Sequence, residues 1–329
     1  MKRLRLVGAV VLGWWLGALG SGCRANKSSQ QDSDDAGIAQ PRKPRATGSD
    51  EAPRLLYLPD GGDLVQNQGQ LQALPPPLLP NQPPLVSGGC PPEMVAIRGQ
   101  FCIDRYEASL VDAHERALSP YYPPAHDELV HVLGVFRRVT PNGRHAPPLP
   151  LPPDYSVEAA FEPRARALPA VVPSGYMSGN MARRACENAG KRLCKPEEWI
   201  IACKGQRATK FPYGDSYAEG VCNVFREAHP AVLLHGDASK NHLDPRLNLI
   251  EGQSGPLLRK TGATPACRSD WGQDAIFDMV GNLDEWVDDA NGAFQGGFYA
   301  RATREGCEAR IAVHPPQYFD YSLGVRCCK

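Results

Sequence analysis

Cysteine is the residue type whose number and placement promise most chemistry in this chain. Of its eleven cysteines, Cys23 stands alone near the start and ten follow: Cys90, Cys102, Cys186, Cys194, Cys203, Cys222, Cys267, Cys307, Cys327 and Cys328. An even set in an exported chain favours up to five disulfides, because compartments outside the cytoplasm permit them and a loop-rich domain gains from cross-links. Zinc is the weaker rival. There is no Cys-x2-Cys knuckle and no HExxH, and the spacing Cys186-x7-Cys194-x8-Cys203 fits no common finger. Cys327 and Cys328 could bond to each other only in a strained small ring, so separate partners are expected.

A second chemical signal is acidic. Asp278, Asp284, Glu285, Asp288 and Asp289 put five acids into twelve residues, with Gly281 and Asn282 supplying a turn. A hard cation with oxygen ligands would offset their repulsion. The plain alternative is a solvated acidic turn whose Trp286 packs in the core. Two classes are disfavoured at once. No Gly-x-Ser-x-Gly motif marks a serine hydrolase. Lys+Arg of 36 against Asp+Glu of 36, with no basic tract, leaves nothing to neutralise phosphates, so no nucleic-acid partner is expected.

The elements that must position these residues are short. Gly 32 and Pro 32 break regular structure often, so a loop-rich α+β domain with little regular secondary structure is expected, stabilised by disulfides. Met94 to Ile97 and Phe101 to Ile103 alternate around Arg98-Gly99-Gln100 and read as a hairpin flanked by Cys90 and Cys102. A helix is expected over Met181 to Ala189, capped by Asn180 and ended by Gly190. A second follows, with Pro196 in its first turn, Glu197 and Glu198 at the positive end of its dipole and Gly205 after its last turn. The stretch at about 111–168 shows little sustained period and reads as an inserted surface excursion.

Upstream, Lys2, Arg3 and Arg5 precede an apolar run from Val7 to Leu19, the order of a secretory leader too short for a comfortable membrane span. Leu19-Gly20-Ser21-Gly22-Cys23 resembles the lipobox of bacterial lipoproteins, although Gly20 holds the place where leucine is usual. The resemblance implies that residues 1–23 are a lipoprotein signal and that Cys23 is acylated as a membrane anchor. Arg24, where Asp would favour inner-membrane retention, points to the outer membrane or a periplasm-facing envelope surface. Residues 24–89 carry Ser-Ser-Gln-Gln, Asp34-Asp35 and Pro75-Pro76-Pro77, cannot bury enough surface to offset chain entropy, and read as a disordered tether. Residues 90–329 are then the domain.

Across Met94 to Cys328 an ordered set of motifs stands out: Cys186-Glu-Asn-Ala-Gly-Lys-Arg-Leu193, Pro196-Glu-Glu-Trp199, Ala202-Cys203-Lys-Gly205, Phe211-Pro-Tyr-Gly-Asp215, Asp278-Met-Val-Gly-Asn-Leu-Asp-Glu-Trp286, Gly296-Gly297 and Gly324-Val-Arg-Cys327. Together they resemble the formylglycine-generating enzyme, or sulfatase-modifying factor, family. The insertion and the segment around His229 to Pro256 fall outside the pattern. The resemblance implies a fold related to C-type lectin-like domains. It also implies disulfides Cys186–Cys327 and Cys203–Cys307; proximity and elimination then suggest Cys90–Cys102, Cys194–Cys328 and Cys222–Cys267. It places a structural Ca2+ on the side chains of Asp278 and Glu285 and the carbonyls of Gly281 and Leu283. A possible second calcium begins at Asn223 and Val224, its acidic partner not located.

The family's reaction oxidises a sulfatase cysteine to formylglycine with oxygen and a copper ion held by two thiolates, soft ligands suited to Cu(I). The family's copper cysteines follow a Gly-Gly-Ser motif and precede a structural cysteine, here Cys307. Between Gly297 and Cys307 this chain has no cysteine. Phe298 and Ala302 lie where the catalytic Ser and Cys belong, so no copper is expected and no residue is assigned a catalytic role. The expected function is an envelope-anchored binding module or pseudoenzyme recognising an envelope protein, peptide or glycan. The alternative is a divergent formylglycine-generating-type oxidoreductase acting on a protein or small molecule.

Overall fold

The structure, a computed structural model, describes residues 89–143, 146–224, 229–301 and 303–329. The leader, its Cys23 and the tether up to residue 88 lie outside the described residues, as does Ala302. The described part is a mixed α+β fold of small sheets and short helices joined by long loops.

Two four-stranded sheets organise it. In the first, the order is Met94–Ile97, Phe101–Asp104, Cys327–Cys328, Arg192–Leu193, all antiparallel. The expected hairpin forms its edge, with Arg98 and Gly99 taking the left-handed turn (φ 53° and 64°). The second sheet runs Arg310–Ile311, Ala293–Gln295, Asp284–Val287, Leu323–Val325; its last two strands are parallel. The C-terminal segment thus serves both sheets, Leu323–Val325 in one and Cys327–Cys328 in the other.

Helix α1 spans His126–Phe136, α2 Asp154–Glu158, α3 Gly179–Asn188, α4 Pro196–Lys204 and α5 Pro230–His235. The α3 and α4 helices fall where the capping signals put them, with one correction. Ser178, not Asn180, is the N-cap of α3: its Oγ accepts the Met181 N–H at 3.3 Å, and Asn180 lies inside the first turn. Both residue types cap well, and the earlier one lets the helix begin at Gly179, whose missing Cβ leaves room for the Trp286 ring about 3.0 Å away. At the start of α4, Glu198 accepts the Lys195 N–H at 2.9 Å and receives the Arg192 guanidinium at 2.6 and 2.9 Å. Gly205 ends it at φ 67°.

A second correction concerns the excursion at 111–168. Its base is closed by a two-stranded ladder, Ser109–Val111 with Arg164–Arg166. Far from lacking period, it contains α1, whose Leu129, Val132, Leu133 and Phe136 recur at helical spacing and pack with Tyr122 and with Leu149, Val157 and Phe161.

All ten described cysteines are bonded: Cys90–Cys102, Cys186–Cys327, Cys194–Cys328, Cys203–Cys307 and Cys222–Cys267. The adjacent Cys327 and Cys328 point to opposite sides of their strand, as the two-residue period requires, so one reaches α3 and the other the segment before α4. The core reflects this: Cys194, Cys203, Cys222, Cys267, Cys307 and Cys328 cluster around Trp199, while Cys186 and Cys327 belong to a second cluster around Trp286. One ion pair is buried at the sheet edge, Lys191 Nζ to Asp104 at 2.6 Å. Burial raises the Asp104 carboxyl to about 6 against the pull of that lysine.

Candidate functional site

Two places answer to the chemistry read from the sequence: the loop after Gly296-Gly297, and the acid-rich segment that precedes it. The loop turns on two glycines in the left-handed region, at φ 93° and 79°. A Cβ on Gly297 would lie 2.1 Å from Thr303 Oγ1, and one on Gly296 would lie 2.7 Å from the Met279 carbonyl and 3.0 Å from the Trp199 ring. No side chain fits at either position. The loop is therefore folded tightly onto itself, with Thr303 buried against Gly297.

Phe298 fills the place expected for a catalytic serine, and its ring is 8 % exposed. It meets Tyr299, Tyr321 and His229 edge to face, with ring centroids 5.4, 5.7 and 6.4 Å away. The Arg301 guanidinium lies 5.5 Å from its centroid and pairs with Asp284, which also accepts the Gly297 N–H at 3.0 Å. Burial pushes the Asp284 carboxyl up to about 6, opposed by Arg301. His229 Nδ1 accepts the Ala231 N–H at 3.2 Å, so the imidazole proton sits on Nε2, 2.9 Å from the Tyr321 oxygen. Burial lowers the His229 pKa, as does neighbouring His242, against the pull of Asp320, and the net lowering favours the neutral ring. In this tautomer His229 donates to Tyr321 and cannot take that residue's proton. Phe298 and Tyr321 are buried against each other, so His229 and His242 are the rings of this assembly that stay part-exposed, and among the described residues it presents no activated nucleophile. Beside it, a cleft of about 220 Å³ opens between α1 and the 241–243 loop, lined by His131, Val135, Phe136 and His242 among others.

Sequence reasoning did not anticipate His229, His242 or Tyr321. They come from three separated segments, and the only available signal was the density of aromatic residues around 318–321.

The acidic run divides. Asp288 pairs with Arg183 and Asp289 with Arg310 at the surface, both at 2.6 Å. Asp278, Asp284 and Glu285 are buried, so the run is not a solvated turn. Asp278 accepts the Gly262 N–H at 2.7 Å. Glu285 accepts the Trp199 indole N–H at 2.6 Å and the Arg326 guanidinium at 2.9 Å. Glu107, far away in sequence, joins them: its carboxylate accepts the Leu283 N–H at 3.0 Å and the Asn282 side-chain N–H at 2.6 Å. Burial raises the Glu107 pKa well above the ordinary range, and the charges of Asp278 and Glu285 add to the rise.

The expected calcium donors therefore lie together on one stretch, Asp278 and Glu285 as buried acids with Gly281 and Leu283 between them. Three buried carboxylates face one buried guanidinium, so the donor chemistry and charge suit a divalent cation. Among the described residues, no three His, Cys, Asp or Glu side chains converge on a single metal position. The residues of the second expected site lie beside the first. Asn223 donates to the Asn282 side-chain oxygen at 2.9 Å, its backbone bridges to Gly281, and Val224 follows it, with no acid among the described residues bonded to either.

Residues 167–329 match the family of the sulfatase-modifying factor enzyme 1-like domain. No curated protein matches the chain. Among solved structures the chain is similar to PvdO from Pseudomonas aeruginosa, at 16% identity over 69% of this chain and 79% of that one, with a TM-score of 0.32. It is similar also to CarF, at 14% identity over 70% and 85% of the two chains, again with a TM-score of 0.32.

Proposed function

We propose that this chain, a sulfatase-modifying factor enzyme 1-like domain over residues 167–329, is a binding module that has lost the copper chemistry of the family it resembles. The observation that carries the reading is the use of the cysteines. All ten in the domain are in disulfides, none lies between Gly297 and Cys307, and Phe298 with its aromatic neighbours occupies the loop. A bonded sulfur is no thiolate, so no paired soft ligand is left there for Cu(I). The cleft beside His242, with Val135 and Phe136 as its apolar wall and the His131 and His242 rings as polar groups, offers contact suited to an envelope peptide, protein or glycan. The divergent oxidoreductase remains the second reading, favoured only by the His229–Tyr321 pair.

A structural calcium at Asp278, Gly281, Leu283 and Glu285 belongs to the same reading, since buried acids in excess of their partners are stabilised by a hard cation. Elemental analysis and melting curves of the purified protein test both parts. We expect neither copper nor iron in stoichiometric amount, about one calcium, and a Tm that falls in chelator and returns with added calcium. Stoichiometric copper or iron would raise the oxidoreductase above the binding module. An unchanged Tm in chelator, with no calcium found, removes the calcium.

We propose also that Cys23 is lipidated and holds the domain at the outer membrane or a periplasm-facing surface, the charge order and the lipobox-like Ser21-Gly22-Cys23 being the support. Mass spectrometry of the mature N-terminus is expected to find an acylated Cys23. An unmodified terminus beginning elsewhere refutes it.

A further inference from the structure

We propose that the cation site enlists two residues beyond the expected set: Gln295, as a ligand through its amide oxygen, and Glu107, as the acid that holds the ligand-bearing turn. The inference rests on the calcium reading above. Two carboxylates and two carbonyls fall short of the six to eight oxygens that calcium takes. A further protein oxygen or water completes the shell.

Gln295 is fully buried, and among the described residues neither its amide oxygen nor its amide nitrogen has a hydrogen-bond partner. It stands directly opposite Glu285 in the antiparallel ladder, so both side chains leave the same face of the sheet with Cβ atoms about 5 Å apart. A buried amide with no partner is costly, and a native structure that keeps one next to a buried carboxylate calls for an explanation. A cation held by Glu285 gives the amide oxygen its partner.

Glu107 comes from outside residues 167–329 and is 1 % exposed. Its two oxygens hold Asn282, which lies between the two carbonyls expected to face the ion, and Leu283, which bears one of them. With Asp278 and Glu285 it makes three buried carboxyl groups around Arg326, an excess of acid that a divalent cation would offset. Glu107 acts as a positioning residue, and the cation fastens the segment after the N-terminal hairpin to the segment 278–285.

Isothermal titration of the full chain with calcium, and terbium luminescence excited through Trp199, whose indole bonds Glu285, read the site directly. Gln295→Leu is expected to weaken calcium binding at least tenfold while raising the Tm measured in chelator, because the orphaned amide is gone. Glu107→Gln is expected to weaken it about tenfold, and Glu107→Asp to restore part of the loss. If wild type binds calcium and Gln295→Leu binds it equally, Gln295 is no ligand. If Glu107→Gln matches wild type, Glu107 plays no part in binding. A wild type that binds neither calcium nor terbium overturns the calcium reading itself, an outcome distinct from the other two.

Discussion

Alanine at Cys186 and Cys327 together costs about 2 to 3 kcal/mol of stability, and subsequent loss of Cys194–Cys328 costs about 4 more, whichever bond is removed first. The asymmetry follows from the fold. The two bonds close loops of 141 and 134 residues that end on adjacent residues. While either is intact the large loop stays closed, and removing the other frees only a ring of roughly nine residues. Removing both frees a ring of roughly 30 to 40 residues, since Cys203–Cys307 still spans the middle of the segment, and the summed loss of about 6 to 7 kcal/mol is comparable to the whole stability of an ordinary domain. Denaturant midpoints of the two single-bond variants and the combined variant decide it. Equal, additive losses would show that the bonds act through local packing and not through the unfolded chain.

The second large effect is expected at Arg326. Its guanidinium is fully buried and donates to Glu285, to the Asp104 carbonyl at 2.8 Å and to the Phe277 carbonyl at 2.7 Å. Arg326→Met keeps the volume and removes the charge, leaving Glu285 without its ion partner and Glu107 and Asp278 without the positive charge that lowers both their pKa values. Breaking a buried pair from one side costs about 3 to 5 kcal/mol, because the remaining charge stays in a medium that cannot solvate it. Arg326→Met combined with Glu285→Gln is expected to regain at least half of that loss in chemical denaturation. No recovery would mean that Arg326 acts through the carbonyls and not through the acids.

Local signals made part of this legible from the sequence. The hairpin announces itself by alternation around Gly99, and the α3–α4 pair by Pro196, the glutamates beside it and Gly205. The even cysteine count in 90–329 anticipates the number of bonds. The α1 helix was equally written, in Leu129, Val132, Leu133 and Phe136, but the prolines and histidines around it hid the period. What no local signal could show is convergence. Glu107 meets Asn282 and Leu283, and His229 meets Tyr321, across long stretches of chain. Such pairings are set by how the C-terminal segment serves both sheets. The acids at 278–289 were legible as a group, yet their division into buried and surface members depends on which residues face Trp199 and which face Arg183 and Arg310.

The Cys186–Cys327 bond also bears on how the domain meets a protease. Any single cut between residues 187 and 326 leaves the two pieces covalently joined, and cuts between 204 and 306 are spanned by Cys203–Cys307 as well. The loops around 237–243 and 251–256 carry exposed residues that a protease can reach. A nick there releases no fragment, so damage accumulates in a molecule that keeps its mass and its sheets, and shows only on a gel run after reduction.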